Sequence, residues 1–314
     1  MLSDLRDRLF DRIDGRPDKA VVAFMDTNRP VPPENELHPN RLANRVPAPE
    51  LVAVPREDYL SDESLHPRLL VLREAGDRGY RDESLLRLTL DCAQRRRTSI
   101  NGAYVCGWLI IDAPVGEVAA QLRRSLVVND AFAGKRRVVP LFEPHRMVLA
   151  SQMASPQWLA RWLGSISSWF LIDVCGQLRE IRPVLHDVEQ PGELPDAEFW
   201  KAQSRVPRAR QVLLALTKAG QAIPVDCEFR IDQALRAACR EGLSEAEDVI
   251  FFAVNHMTLE PEWHVHPAIR GCIEKAKSGE AMLTDSVTSL PDHVLNELAV
   301  SDIASSASNR TGRT

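Results

Sequence analysis

Glu262-Trp263-His264-Val265-His266 is the segment whose residue types and spacing come nearest to a metal site. On an extended backbone alternate side chains point the same way, so His264 and His266 would face one ion together. Zinc takes at least three protein ligands, and no third is marked nearby. Pro267 follows at once and suits the first turn of a helix, so the competing reading places His266 at a helix start. The six cysteines, Cys92, Cys106, Cys175, Cys227, Cys239 and Cys272, form no CxxC pair and lack the close spacing of zinc or disulfide-dense domains. They read as reduced thiols, and Cys106, Cys239 and Cys272 lie in apolar stretches that suit burial. The chain has no GxSxG elbow, Gly-rich phosphate loop, HExxH or kinase-type set. The expectation is a protein without catalytic residues, cofactor or metal, the alternative being a metal-dependent hydrolase centred on His264 and His266.

Chemistry of recognition is better represented. Arg95-Arg96-Arg97, Arg123-Arg124 and Lys135-Arg136-Arg137 could line a face for an acidic partner, solvated loops and helix ends being the competing explanation. A formal net charge of -5 argues against a general nucleic-acid binder, which needs an excess of cations to neutralise phosphates. Tryptophans at helical spacing, Trp158 and Trp162 above all, fit a core first and a partner anchor second. The longest apolar-dominated run, Tyr104 to Ile111, is far short of the roughly 20 residues that span a bilayer, so no membrane insertion is expected. Met1 to Gly15 is charged and amphipathic (Leu2, Leu5, Leu9, Phe10, Ile13), unlike the apolar core of a secretory signal, and a cytoplasmic location follows as the expectation.

These residues need elements to position them. After a short N-terminal helix, Ala20–Met25 reads as a buried strand closed by Asp26. Six prolines between Pro30 and Pro49 exclude regular helix there, and Glu50–Val54 offers a second strand. Leu65, Leu69, Leu70 and Leu72, then Leu85, Leu86, Leu88 and Leu90, suggest two helices parted by the Gly76 to Gly79 turn. Tyr104–Ile111 is a central strand, Pro114 to Leu126 a helix with its apolar stripe on Val115, Val118, Ala119, Leu122 and Leu126, and Val138–Phe142 a short strand interrupted by Pro140. Ser155-Pro156 opens a helix carrying Trp158, Leu159, Trp162 and Leu163, and Trp169–Val174 completes the strands. Strands separated by helices give an α/β domain, a mixed sheet with helices, over residues 1–182. A polar, proline-bearing linker is expected over 183–208. Helical patterning then resumes over 209–300: Ile231 to Cys239 ended by Gly242, a capping box of Ser244 and Glu247 before Val249–Val254, and Ile269 to Ala276 after Pro267. The Ser-, Asn- and Thr-rich tail, 301–314, is expected to be disordered.

Taken in order, several segments resemble the type VI secretion adaptor or chaperone family (Tap or TEC). Val21-Val22-Ala23-Phe24-Met25-Asp26 is similar to its opening strand ending in Asp, and Ala48-Pro49-Glu50-Leu51-Val52 to its second strand. Gly107-Trp108-Leu109-Ile110-Ile111, with the helix bearing Val118, Leu122, Arg123 and Arg124, resembles its strand and helix unit. Leu141-Phe142-Glu143-Pro144-His145-Arg146-Met147-Val148-Leu149 is similar to its Asp-Pro-Arg signature, with Glu143 in place of Asp, His145 where Arg is frequent and Pro140 near a usual Arg. Trp158 to Ile172 looks like its closing helix and strand. The order and spacing agree over roughly residues 18 to 182.

The resemblance implies a protein that binds a toxic effector, often through the effector's N-terminal segment, and loads it on the VgrG-type spike. It carries over no catalytic residue. An apolar groove rimmed by charge would shield the effector's amphipathic segments. The groove is expected around Phe142, Glu143, Pro144, Arg146, Met147, Trp158 and Trp162, with the C-terminal helices choosing the cargo. A baseplate or scaffold protein without cargo is a third reading.

Overall fold

The computed structural model describes residues 2–29, 31–47, 50–59, 61–130, 135–183, 194–259 and 262–294. The chain divides into two compact units, Met1–Ser204 and Arg205–Thr314.

In the first unit, the apolar runs become six strands of one sheet: β1 (Ala20–Met25), β2 (Leu51–Ala53), β3 (Arg68–Arg73), β4 (Val105–Ile111), β7 (Ile166–Ile172) and β8 (Leu178–Ile181), in the order β2-β3-β1-β4-β7-β8. Every pairing in this sheet is antiparallel. A separate hairpin joins β5 (Val127–Asp130) to β6 (Lys135–Val138). The strands are apolar on both sides because both sheet faces are covered. One face packs under α4 (Val115–Ser125), α5 (Pro144–Met153), α6 (Pro156–Leu163) and the start of α7 (Ala197–Lys218). The other packs under α1 (Leu2–Asp14), α2 (Pro39–Arg45) and α3 (Glu83–Arg96). The expected α/β domain with helical parts is what forms.

Strand β1 alternates cleanly, sending Val22 and Phe24 to the first face and Val21, Ala23 and Met25 to the second. Strand β4 changes phase. Cys106, Leu109 and Ile111 face one core, while Val105, Trp108 and Ile110 face the other, so alternation breaks at Gly107. The ladder shows why: Phe24 opposes Gly107 and Met25 opposes Val105, which leaves Cys106 as the extra residue of a β-bulge. Gly107 has φ +147°, and a Cβ there would lie 2.3 Å from the Phe170 carbonyl oxygen and 2.5 Å from the Trp169 Nε1. Only glycine fits.

Several expectations are corrected. Leu69 to Leu72 form strand β3 rather than a helix, because four consecutive apolar side chains are buried alternately on two faces; Leu65 ends a 3-10 turn, Glu63–Leu65. The proline-rich stretch does hold a helix, α2, since Pro39 sits in its first turn, where no N–H is needed, and His38 caps it by accepting from the Asn40 N–H at 3.3 Å. Strand β6 stops at Val138; residues 140–143 form a tight turn in which the Glu143 N–H reaches the Pro140 carbonyl at 3.1 Å. The later part of the expected linker is replaced by α7, which is already helical at Ala197 and runs through the unit boundary. Residues 184–193 of that linker, and the tail 301–314, lie outside the described residues.

The second unit is helical: the later part of α7, α8 (Cys227–Arg240), α9 (Ala246–Thr258), α10 (Pro267–Ser278) and α11 (Leu283–Thr288). Gly242 ends α8 as expected. At φ +86° it donates to Cys239 while the Leu243 N–H returns to Ala238, satisfying two terminal carbonyls. The capping box does not form: α9 begins at Ala246 with Glu245 at the cap and no side-chain bond to it, which places Ser244 one residue too early. Buried Asp248 instead accepts from the Leu283 N–H at 2.8 Å and so caps α11 from a neighbouring helix. Cys239, expected inside, is exposed on α8. No helix among the described residues is long and apolar enough to cross a membrane.

Gly107→Ala should destabilise the protein by roughly 3–5 kcal/mol in urea denaturation, through backbone strain and the clash with Phe170. Gly116→Ala, on α4 with nothing within 4 Å of the added Cβ, should be neutral or gain about 0.5 kcal/mol in the same measurement.

Candidate functional site

The residues expected to form the groove do come together, but as core. Phe142 is fully buried, its ring 4.6 Å from that of Phe24, which in turn lies 5.7 Å from Trp169. Trp162 stacks at a tilt on Trp169 at 5.8 Å and donates from its indole N–H to the Ser125 carbonyl at 3.1 Å. Trp158 meets Phe199 edge-on at 5.5 Å. Pro144 and Met147 are buried on α5. All six tryptophans of the chain are buried, so they fill the interior rather than stand out at the surface.

Glu143 and Arg146 hold this part of the core together. Both side chains are largely buried, and the Arg146 Nε donates to the Glu143 carboxylate at 3.2 Å. The Arg146 guanidinium also donates to the Gln203 carbonyl, and the Gln203 amide returns a bond to the Arg146 carbonyl at 3.2 Å. Pro207, inside α7, explains why that carbonyl is open: proline has no N–H to offer the residue four positions back. The neighbouring His145 is different. It is 3% exposed, and neither ring nitrogen has a hydrogen-bond partner. Burial, aided by the Arg146 charge, pushes its pKa down to about 3.

The His264 and His266 pair is not arranged as the extended alternation requires. Trp263–Val265 is a 3-10 turn, and His266 caps α10 by accepting from the Ala268 N–H at 3.3 Å. The His264 ring packs edge-on against Phe252 at 5.4 Å. Among the described residues no group of three or more His, Cys, Asp and Glu is placed to hold an ion. Burial raises the thiol pKa of both Cys92 and Cys272, which disfavours the thiolate needed of a nucleophile.

An open concavity lies elsewhere in the first unit. A cleft of about 360 Å³ opens at one end of the sheet, between the start of β1, the ends of β3 and β4, and the first turn of α4. Its floor is apolar: Ala20, Val22, Val71, Ile111, Ala113 and Val115. Its rim is charged, with Asp18, Glu74 and Asp112 against Lys19. Lys19 bridges Asp112 at 2.9 Å and Asp18 at 3.6 Å, and the Asp112 bond holds its ammonium above the ordinary lysine pKa. The Gly76 N–H donates to the Pro17 carbonyl at 2.9 Å and ties the loop after β3 to the segment before β1. The sequence signal for this site was present, since Asp18-Lys19 and Asp112 flank the two apolar runs that become β1 and β4. That the two flanks meet depends on the antiparallel pairing of Ala20 with Ile111.

No protein-family model, curated protein or solved structure matches this chain. What the cleft can do is therefore read from its lining: reversible, non-covalent uptake of an apolar side chain whose flanks carry positive charge.

Arg146→Ala should cost about 3 kcal/mol, because it takes a charged partner from the buried Glu143 carboxylate and a donor from the Gln203 carbonyl; urea denaturation measures it. The unfolded chain protonates His145 at about pH 6.5, while the fold holds the ring neutral down to about pH 3, so stability declines as pH falls through that window. His145→Leu should remove this decline, up to about 1.4 kcal/mol per pH unit, when denaturation is compared between neutral and mildly acidic pH.

Proposed function

We propose that this chain is a non-enzymatic adaptor of the type VI secretion system, a cytoplasmic protein that holds a toxic effector and passes it to the VgrG-type spike. The cleft at the sheet end carries the reading. Its apolar floor and acidic rim suit an amphipathic, basic segment, the kind of sequence that aggregates when exposed and travels covered. The ordered resemblance over residues 18 to 182 supports the same assignment. The groove proposed from the sequence thus moves from the buried Phe142 and Trp158 region to the surface bounded by Lys19, Glu74 and Val115.

Cargo protection requires only that the segment bind more favourably to the cleft than to itself. Each apolar side chain of the bound segment that the cleft removes from water contributes roughly 1.5–3 kcal/mol, against which the cost of ordering the segment is set. The carboxylates of the rim add orientation and encounter rate more than affinity.

Co-expression with the effector encoded beside it should yield a complex that co-purifies, and deletion should leave that effector less soluble and unexported. Secretion and effector solubility unaffected by deletion would count against the assignment, and loss of every effector together would favour the cargo-free scaffold. Val115→Trp, which fills the cleft from a half-buried position, should reduce recovered complex at least about fivefold while the melting temperature stays within about 3 °C.

A further inference from the structure

Arginines from two of the basic runs, separated in sequence, meet on one surface. Arg123 and Arg124 are exposed on the last turn of α4, where positive charge complements the helix dipole. That explanation covers those two residues alone. The chain then turns directly into β5, and the hairpin returns Arg136 on β6, opposite Asn129. Arg123, Arg124, Arg136, Val127 and Glu57 line a cleft of about 300 Å³. Arg136 is paired with Glu57 at 2.9 Å. Among the described residues, three guanidiniums against one carboxylate leave a formal excess of two positive charges on a chain whose net charge is -5.

We infer that this arginine cleft is a docking surface for an acidic polypeptide segment, separate from the apolar cleft at the sheet end. Guanidinium forks bind carboxylates through paired N–H donors, and three of them spread over one concavity match several successive Asp or Glu side chains. The Glu57 carboxylate lies within the cleft beside Arg136, where it opposes a compact polyphosphate more strongly than a peptide, whose carboxylates are fewer and farther apart. Among the described residues no aromatic side chain lines the cleft to stack on a base, and single-stranded nucleic-acid sites rely on such stacking. An acidic peptide is the occupant these features favour. The surface does not depend on the adaptor assignment, since it follows from charge and shape alone.

The test is fluorescence anisotropy of a fluorescein-labelled deca-glutamate peptide titrated with the full chain at low ionic strength. The expected result is saturable binding that weakens as salt is added. Arg123→Glu with Arg124→Glu should weaken it at least about tenfold. Glu57→Gln, which frees Arg136 and removes the opposing charge, should tighten it about threefold, and this gain in function guards against loss through misfolding. Absence of saturable binding, an affinity unchanged in the double variant, or tighter binding of a labelled ten-residue oligothymidylate than of the peptide would overturn the inference.

Discussion

The glycine bulge in β4 sets the geometry from which the rest of the first unit follows. A strand with strict alternation would send Val105 and Leu109 to the same face. With one extra residue at Cys106 and φ +147° at Gly107, β4 supplies Trp108 to one core and Leu109 and Ile111 to the other, in step with β1 beside it. The missing side chain also makes room for Trp169, whose indole N–H donates to the Cys106 carbonyl at 3.3 Å. Through Trp169 the bulge meets Phe24 and Trp162, and Phe24 in turn meets Phe142, the aromatic series that anchors α5 and α6 to the sheet.

Polar groups trapped by this packing are mostly satisfied. Buried Asp173 closes the turn between β7 and β8 by accepting from the Gln177 N–H at 2.8 Å and from Arg179 at 2.7 Å. Buried Asp26, at the end of β1, accepts from the Asn28 N–H at 3.2 Å and from Arg29 at 3.1 Å, although burial still raises its pKa. Thr89 accepts the Trp108 indole N–H at 2.9 Å. His145 stands apart, as a ring kept neutral by its surroundings. With these aromatics and acids engaged inside, the apolar cleft with its acidic rim and the cleft of arginines are the surfaces on which the proposed recognition rests. Their opposite charge suits them to different segments of polypeptide.

Much of the architecture was legible along the chain. The runs Ala20–Met25 and Tyr104–Ile111 could hardly be anything but buried strands, and Ser155-Pro156 announced α6, where the Ser155 hydroxyl accepts from the Trp158 N–H at 3.3 Å. Misreadings occurred where a local preference met a stronger tertiary demand. Leucine favours helix, yet Leu69 to Leu72 lie between β1 and β2, and a sheet covered on both faces removes the period-2 signal that marks a strand. Proline argues against helix, yet Pro39 occupies the one turn that tolerates it. The Glu262 to His266 segment suggested shared direction, which holds only for extended backbone and fails in a 3-10 turn.

The sequence by itself determined composition, the positions of the apolar runs and some helix ends, and hence the α/β class, because those depend on residues near one another in the chain. Tertiary structure alone decided which aromatics are interior and which charges converge. Trp158 has the same indole whether it faces a core or a partner, and Arg124 and Arg136 are neighbours only because α4 and the β5–β6 hairpin fold back on each other. Burial and charge proximity are properties of distances between residues remote in the chain, and those distances are set by how the elements pack.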